Sequence, residues 1–314
     1  MTTRGAVTTG RSVTTFDFMG KRLIAAAVSI VLVVASVVAV VFVGINRGLD
    51  FTGGALVEFG FAQAVDPEMV REVLVAEGLE NGVVQNYGSE TDLLVRMPPV
   101  EGVDQSDLGA QIAGVLQGSF DDVELRRSEF VGPTVGEELT EKGGLALLVA
   151  LGAVMLYIMW RFTGKFGVGA VTALIHDVLL VVGAFAIFQW TFNLPELAAL
   201  LAVIGYSLND TIVVSDRIRE NFRSMRRGTP VEIINYSLNQ TLGRTLVTSL
   251  TTLLVLGALL FAGGEQVSGF ATALAIGVVV GTYSSIYVAA NVLLAMGISK
   301  QDLALPDKED GANP

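Results

Sequence analysis

Six apolar runs constrain what this chain can fold into: Leu23–Val43, Gly143–Trp160, Phe166–Phe188, Leu197–Val214, Thr245–Ala262 and Phe270–Met296. About 20 apolar helical residues cross the roughly 30 Å hydrocarbon core of a bilayer, and each run is long enough to do so. The composition agrees: 52% of the residues are hydrophobic and 16% are charged, where a soluble chain carries about 25% charged residues. The expectation is a polytopic α-helical membrane protein with six transmembrane helices.

The first run follows Lys21 and Arg22 and is longer than the 7–15 residues of a signal-peptide core, with no convincing small-residue cleavage site after it. It is expected to remain as transmembrane helix 1, over 23–45, after a tail at 1–22. Helices 2–6 are expected within 143–298, before a tail at 299–314. Orientation follows from Lys and Arg in the connections. Arg4, Arg11, Lys21, Arg22, Arg161, Lys165, Arg217, Arg219, Arg223, Arg226, Arg227, Lys300 and Lys308 fall on one side, whereas Trp190–Pro195 and Gly263–Ser268 contain none. Both termini are therefore expected in the cytoplasm. Residues 217–243, Arg-rich and then amphipathic through Ile233, Ile234, Tyr236 and Leu238, are expected along the membrane surface against lipid headgroups, with partner docking as the other reading.

Residues 46–142 form the one hydrophilic region, expected outside the cytoplasm. Ala55–Phe61 alternates as a strand does, and Asp66 before Pro67 marks a helix start ending near Gly78. Val83–Tyr87 and Asp92–Met97 read as strands around a Gly88–Ser89 turn, Asp104–Phe120 as a helix and Val123–Val131 as a last strand. This βαββαβ order is that of a ferredoxin-like α+β sandwich. The region holds 19 acids against 6 bases. Such acidity excludes nucleic acid as a natural partner and fits a solvated surface, with cation or partner binding as the alternative.

Within the membrane runs, ionisable residues are costly and point to function. Asp210, flanked by Asn209 and Thr211, lies in the inner part of its run, and Arg244 heads the next one. On neighbouring antiparallel helices the two charges would lie toward the same side and compensate each other. A carboxylate caught between burial and a guanidinium suits proton transfer. A structural Asp210–Arg244 pair is the competing reading. His176–Asp177 is expected as a packing pair, or as a second relay, near Asp210. Gly277, Gly281 and Ser285, four apart, permit close helix approach. Gly53–Gly54 lacks the Lys-Ser/Thr of a phosphate loop, no nucleophile motif accompanies His176, and cysteine is absent. No enzyme, cofactor or metal centre is expected, only a coupling ion, proton or sodium.

These motifs resemble those of the SecF family of protein-export membrane subunits, in the RND superfamily. Asp50, Phe51, Gly53 and Gly54 match its D-F-x-G-G signature after helix 1. Ile204–Asp216 resembles the family's fourth helix, Ala173–Asp177 its third and Asn239–Ser249 its fifth. The resemblance implies half of an RND-type bundle that pairs with SecD and promotes preprotein movement through and release from the SecYEG channel, driven by the proton-motive force. It assigns Asp210 and Arg244 to the proton pathway. Implied partners are SecD, SecYEG, other Sec accessory proteins, unfolded preproteins and lipid, in the inner (cytoplasmic) membrane. Starting at Met1 with a basic tail, the chain is expected to be a polypeptide separate from SecD. An RND-like lipid or drug exporter and an uncoupled scaffold of the translocase are the alternatives.

Overall fold

The computed structural model describes residues 16–100, 107–162, 164–225, 227–299 and 302. The expected tail before residue 16, Asp104, Arg226, and Lys300 and Lys308 of the C-terminal tail lie outside the described residues. Among the described residues, six helices are long and apolar enough to cross a membrane. In chain order the helices are α1 (Arg22–Val38, continued by a wider turn to Val43), α2 (Leu49–Thr52), α3 (Pro67–Ala76), α4 (Leu108–Ser119), α5 (Pro133–Arg161), α6 (Gly164–Phe188), α7 (Leu194–Ser224), α8 (Pro230–Ala262) and α9 (Glu265–Ala295).

The hydrophilic region carries strands β1 (Gly54–Phe61), β2 (Val83–Tyr87), β3 (Ser89–Met97) and β4 (Val123–Val131). They form an antiparallel sheet in the order β2-β3-β1-β4. Alternation along β1 sends Ala55, Val57, Phe59 and Phe61 to one face. There they join Leu93, Val95 and Met97 of β3 against Val70 and Leu74 of α3 and Leu108, Ile112 and Leu116 of α4. Asp66 starts α3 by accepting from the Glu68 N–H at 3.0 Å, with Pro67 in the first turn. Gly78, at φ 81°, ends it in a left-handed conformation favourable to glycine. The β2–β3 turn is tighter than expected, β3 beginning at Ser89 directly after Gly88 at φ 75°.

In the membrane portion, α6, α7 and α9 are more buried than α1, α5 and α8, which expose apolar side chains over much of their length. Small residues set the close contacts. Gly183 of α6 lies against Ser36 of α1, and Gly169 of α6 lies against the Ala289 carbonyl of α9. Gly277 of α9 faces Val203 of α7, and one turn on Gly281 faces Ser207. Ser285 is buried and donates to the Thr282 carbonyl at 3.0 Å.

One expectation is overturned. Residues 217–243 do not form a separate surface segment; they divide between the end of α7 and the start of α8, which are continuous with their membrane spans. A capping box fixes the start of α8: the Thr229 N–H donates to Glu232 at 2.8 Å and the Glu232 N–H to Thr229 at 3.3 Å. The apolar residues Ile233, Ile234 and Leu238 pack into the same core as Ile218 and Phe222 of α7, while Tyr236 is exposed, so the amphipathicity of this stretch serves a helix pair. On the polar side of α8, the amides of Asn235 and Asn239 hold the chain entering α1, donating to the Phe16 carbonyl at 3.1 and 2.8 Å and accepting from the Phe18 and Phe16 N–H groups at 2.8 and 2.7 Å.

A side chain at position 277 has to displace Val203. Gly277→Leu should therefore destabilise the α7–α9 contact by about 1–3 kcal/mol, read as a lower melting temperature of the purified protein in detergent. An unchanged melting temperature would show that this contact does not hold the bundle together.

Candidate functional site: a buried carboxylate pair and the junction above it

The helix α7 carries the site. Asp210 is 2% exposed, and its Oδ2 is buried with no hydrogen-bond partner among the described residues. Thr211 beside it and Thr245 on α8 are likewise buried, each with its hydroxyl unpartnered. Arg244 does not join them. It is exposed on α8 and forms no ion pair with Asp210. The expected contact between the two charges is therefore not made. Asn209 is exposed on the outer face of α7, because successive residues turn about 100° around a helix; it does not share the Asp210 pocket.

One turn away on the same face, Ser207 leads to a second carboxylate. Asp177 of α6 is fully buried and accepts at Oδ2 from the hydroxyls of Ser207 on α7 and Ser284 on α9, the latter at 2.7 Å. Its Oδ1 is 2.9 Å from Nδ1 of His176, whose Nε2 has no partner among the described residues. The His176 ring stacks on Tyr283, centroids 6.2 Å apart, and Tyr283 donates to the Ala25 carbonyl of α1 at 2.7 Å. Asp177 thus binds three helices together, and through His176 and Tyr283 a fourth. The sequence reading did not single out Tyr283 or Ser284. Their signal was the polar run Tyr283–Ser285 inside an otherwise apolar helix.

The signature after the first helix forms a junction between the sheet and the bundle. Asp50 accepts from the Leu194 N–H, in the first turn of α7, at 2.9 Å. Phe51 stacks on Phe192 with centroids 6.1 Å apart, and its carbonyl accepts from the Thr140 hydroxyl of α5 at 3.2 Å. Gly53 and Gly54, at φ 69° and 114°, take backbone conformations that other residues rarely adopt. A side chain on Gly53 would press on Pro133 and one on Gly54 on the Met97 carbonyl. Beside the junction a cleft of about 690 Å³ opens between the uncovered sheet face and the bundle, lined among others by Leu56, Gln85, Arg96, Trp190 and Glu196. Arg96, partly withdrawn from water there, has its pKa lowered by that desolvation.

These features define a multi-pass membrane protein with a compact α/β domain between its first two spans and carboxylates inside the bundle. The comparisons with known proteins give the family. Residues 111–299 match the family described as protein export membrane protein SecD/SecF, C-terminal, and residues 38–65 match the SecD/SecF GG motif. The protein translocase subunit SecF of Vibrio alginolyticus is 49% identical, with 94% of each chain covered. That of Pseudomonas aeruginosa is 48% identical, over 94% of this chain and 96% of the relative. The crystal structure of SecDF from Thermus thermophilus, a translocon-associated membrane protein, superposes with a TM-score of 0.82 at 39% identity. It covers 91% of this chain, which spans 39% of the SecDF chain. The chain belongs to the SecD/SecF family of protein-export membrane proteins.

Removing the Asp177 carboxylate leaves the two serine hydroxyls and His176 without their shared acceptor inside the bundle. The Ser284 hydroxyl can still donate to the Gly281 carbonyl at 3.2 Å, and each group left without a partner costs about 1–3 kcal/mol. Asp177→Ala should sharply reduce accumulation in membranes and thermal stability in detergent, and Asp177→Asn, which keeps an acceptor oxygen, should do so less. Equal stability of the alanine variant and the parent would show that the hub is dispensable.

Proposed function

We propose that this chain is the SecF subunit of a Sec protein translocase, acting with SecD to couple the proton-motive force to preprotein movement through and release from the SecYEG channel. The carrying observation is Asp210, buried on a membrane helix with one carboxylate oxygen unpartnered. Leaving such an oxygen without a partner is costly, and buried membrane carboxylates commonly mark proton paths. Arg244 stands on the neighbouring α8 without a direct bond to Asp210, so protonation or a small helix displacement would change the balance of charge between them. His176 and Asp177 hold the helices around this point, and Thr211 and Thr245 add unpartnered hydroxyls along the same interior.

In this reading both termini are cytoplasmic, residues 46–142 stand outside the inner (cytoplasmic) membrane, and that domain is a ferredoxin-like sandwich. The β2-β3-β1-β4 order with two helices on one face supports the fold, and the arginine-bearing ends of α5 and α7 support the orientation. SecD supplies the other half of an RND-type bundle, which accounts for the polar Asn209 and Arg244 exposed among apolar side chains. Relatives named as protein translocase subunits support the role in export.

Asp210→Asn should abolish the gradient-dependent gain in preprotein export by membrane vesicles while SecD and this chain remain assembled on blots. Sodium and proton gradients imposed separately identify the ion. Export that keeps its full response to both gradients in the variant would leave Asp210 a structural polar group and refute the coupling reading.

A further inference from the structure

The domain β1–β4 is joined covalently to the bundle through α1, which precedes it, and α5, which follows it. Neither helix carries Asp210. A displacement of α7 therefore has to reach the domain through non-covalent contacts or through other helices. Direct contacts gather where the chain before β1 meets the start of α7. The Gly48 N–H donates to the Phe192 carbonyl at 2.8 Å, and the Phe192 N–H donates to the Asn46 carbonyl at 2.9 Å. Phe51 stacks on Phe192. The Asp50 carboxylate accepts from the Leu194 N–H at 2.9 Å.

We propose that Asp50 is a positioning residue that ties β1 to the outer end of α7, so that displacement of the helix bearing Asp210 moves the four-stranded domain. This rests on the proton-coupled reading of Asp210. The first N–H groups of a helix have no partner within it, and the helix dipole makes that end positive. A carboxylate from outside the helix is thus held there by hydrogen bond and charge together. Glu196 adds a second carboxylate to the same turn by accepting from the Asn193 N–H at 2.7 Å, but it belongs to α7 and carries nothing across. Asp50 lies outside α7, on α2 directly before β1, and the turn that joins α2 to β1 is closely packed. Gly53, which ends α2, accepts no side chain because of Pro133 behind it, and Gly54, at the first position of β1, accepts none because of the Met97 carbonyl of β3. From Leu194 to Asp210 the helix is unbroken, about 24 Å at about 1.5 Å per residue, so axial motion at one end appears at the other.

The chain contains no cysteine, so a pair of spin labels can be placed across the cleft at Gln85→Cys and Thr191→Cys, with cysteine-free SecD, in vesicles. Two quantities are read together: proton uptake through the complex, and the change in label separation when a gradient is imposed. Asp50→Ala should keep the proton uptake and reduce the gradient-driven change in separation, and the gain in export with it, by about threefold or more. Asp50→Asn, which retains the acceptor oxygen, should restore most of both, and blots against SecD confirm assembly. If Asp50→Ala leaves the separation change and export gain intact, or if Asp50→Asn is as impaired as alanine, the proposal is overturned. If the parent complex shows neither proton uptake nor a change in separation, the proton-coupled reading fails first and this proposal with it. If the parent takes up protons and Asp50→Ala abolishes that uptake, Asp50 belongs to the proton site itself and the mechanical assignment is wrong.

Discussion

A carboxylate inside a bilayer cannot be left to water, and the bundle is arranged around two of them. Asp177 meets the constraint by recruiting partners. Hydroxyls from α7 and α9 and the imidazole beside it satisfy its oxygens, and so it fastens the helices it touches. Asp210, one turn from Ser207 on the same helix, leaves an oxygen unpartnered. A satisfied network rigidifies, while an unsatisfied buried group favours a change of protonation or position. In the proposed reading the two acids divide the labour: one makes a fixed unit of α6, α7 and α9, and the other gives that unit something to respond to.

The small residues follow from the same constraint. Ser207 and Ser284 reach one carboxylate oxygen only because Gly277 and Gly281 let α9 approach α7 closely. At the other end of α7, the glycines after Asp50 play a comparable part, bringing strand, short helix and the start of α5 within backbone contact. The polar core and the junction with the extramembrane domain are thus both built by glycine-permitted approach, at opposite ends of the span from Leu194 to Asp210.

Much of the architecture was legible in the sequence because each element carries its own periodic signal. The six spans stand out by length and hydropathy, and the alternating Ala55–Phe61 stretch and the Asp66–Pro67 helix start fall where the structure has β1 and α3. Helix ends were less legible, since a hydropathy run measures the portion in hydrocarbon and not the whole helix. Thus α5 begins at Pro133 and α8 at Pro230, well ahead of their apolar runs. The segment at 217–243 misled because an amphipathic stripe looks the same whether lipid or a neighbouring helix covers it. Asp210 and Asp177 were visible as acids in apolar sequence, but their different surroundings were not, because the hydroxyls that satisfy Asp177 come from α7 and α9 and not from its own helix. The link from Asp50 to Leu194 joins residues far apart in the chain and has no local sequence signal.

The account depends on Asp210 changing its protonation state inside the assembled complex. Difference infrared spectroscopy of this chain with SecD in lipid, across a pH titration, reads the carbonyl stretch of protonated carboxyls directly. A band in that region that titrates in the parent complex and is missing in Asp210→Asn is the result the account predicts. A spectrum in which every titrating carboxyl band survives that substitution would contradict it.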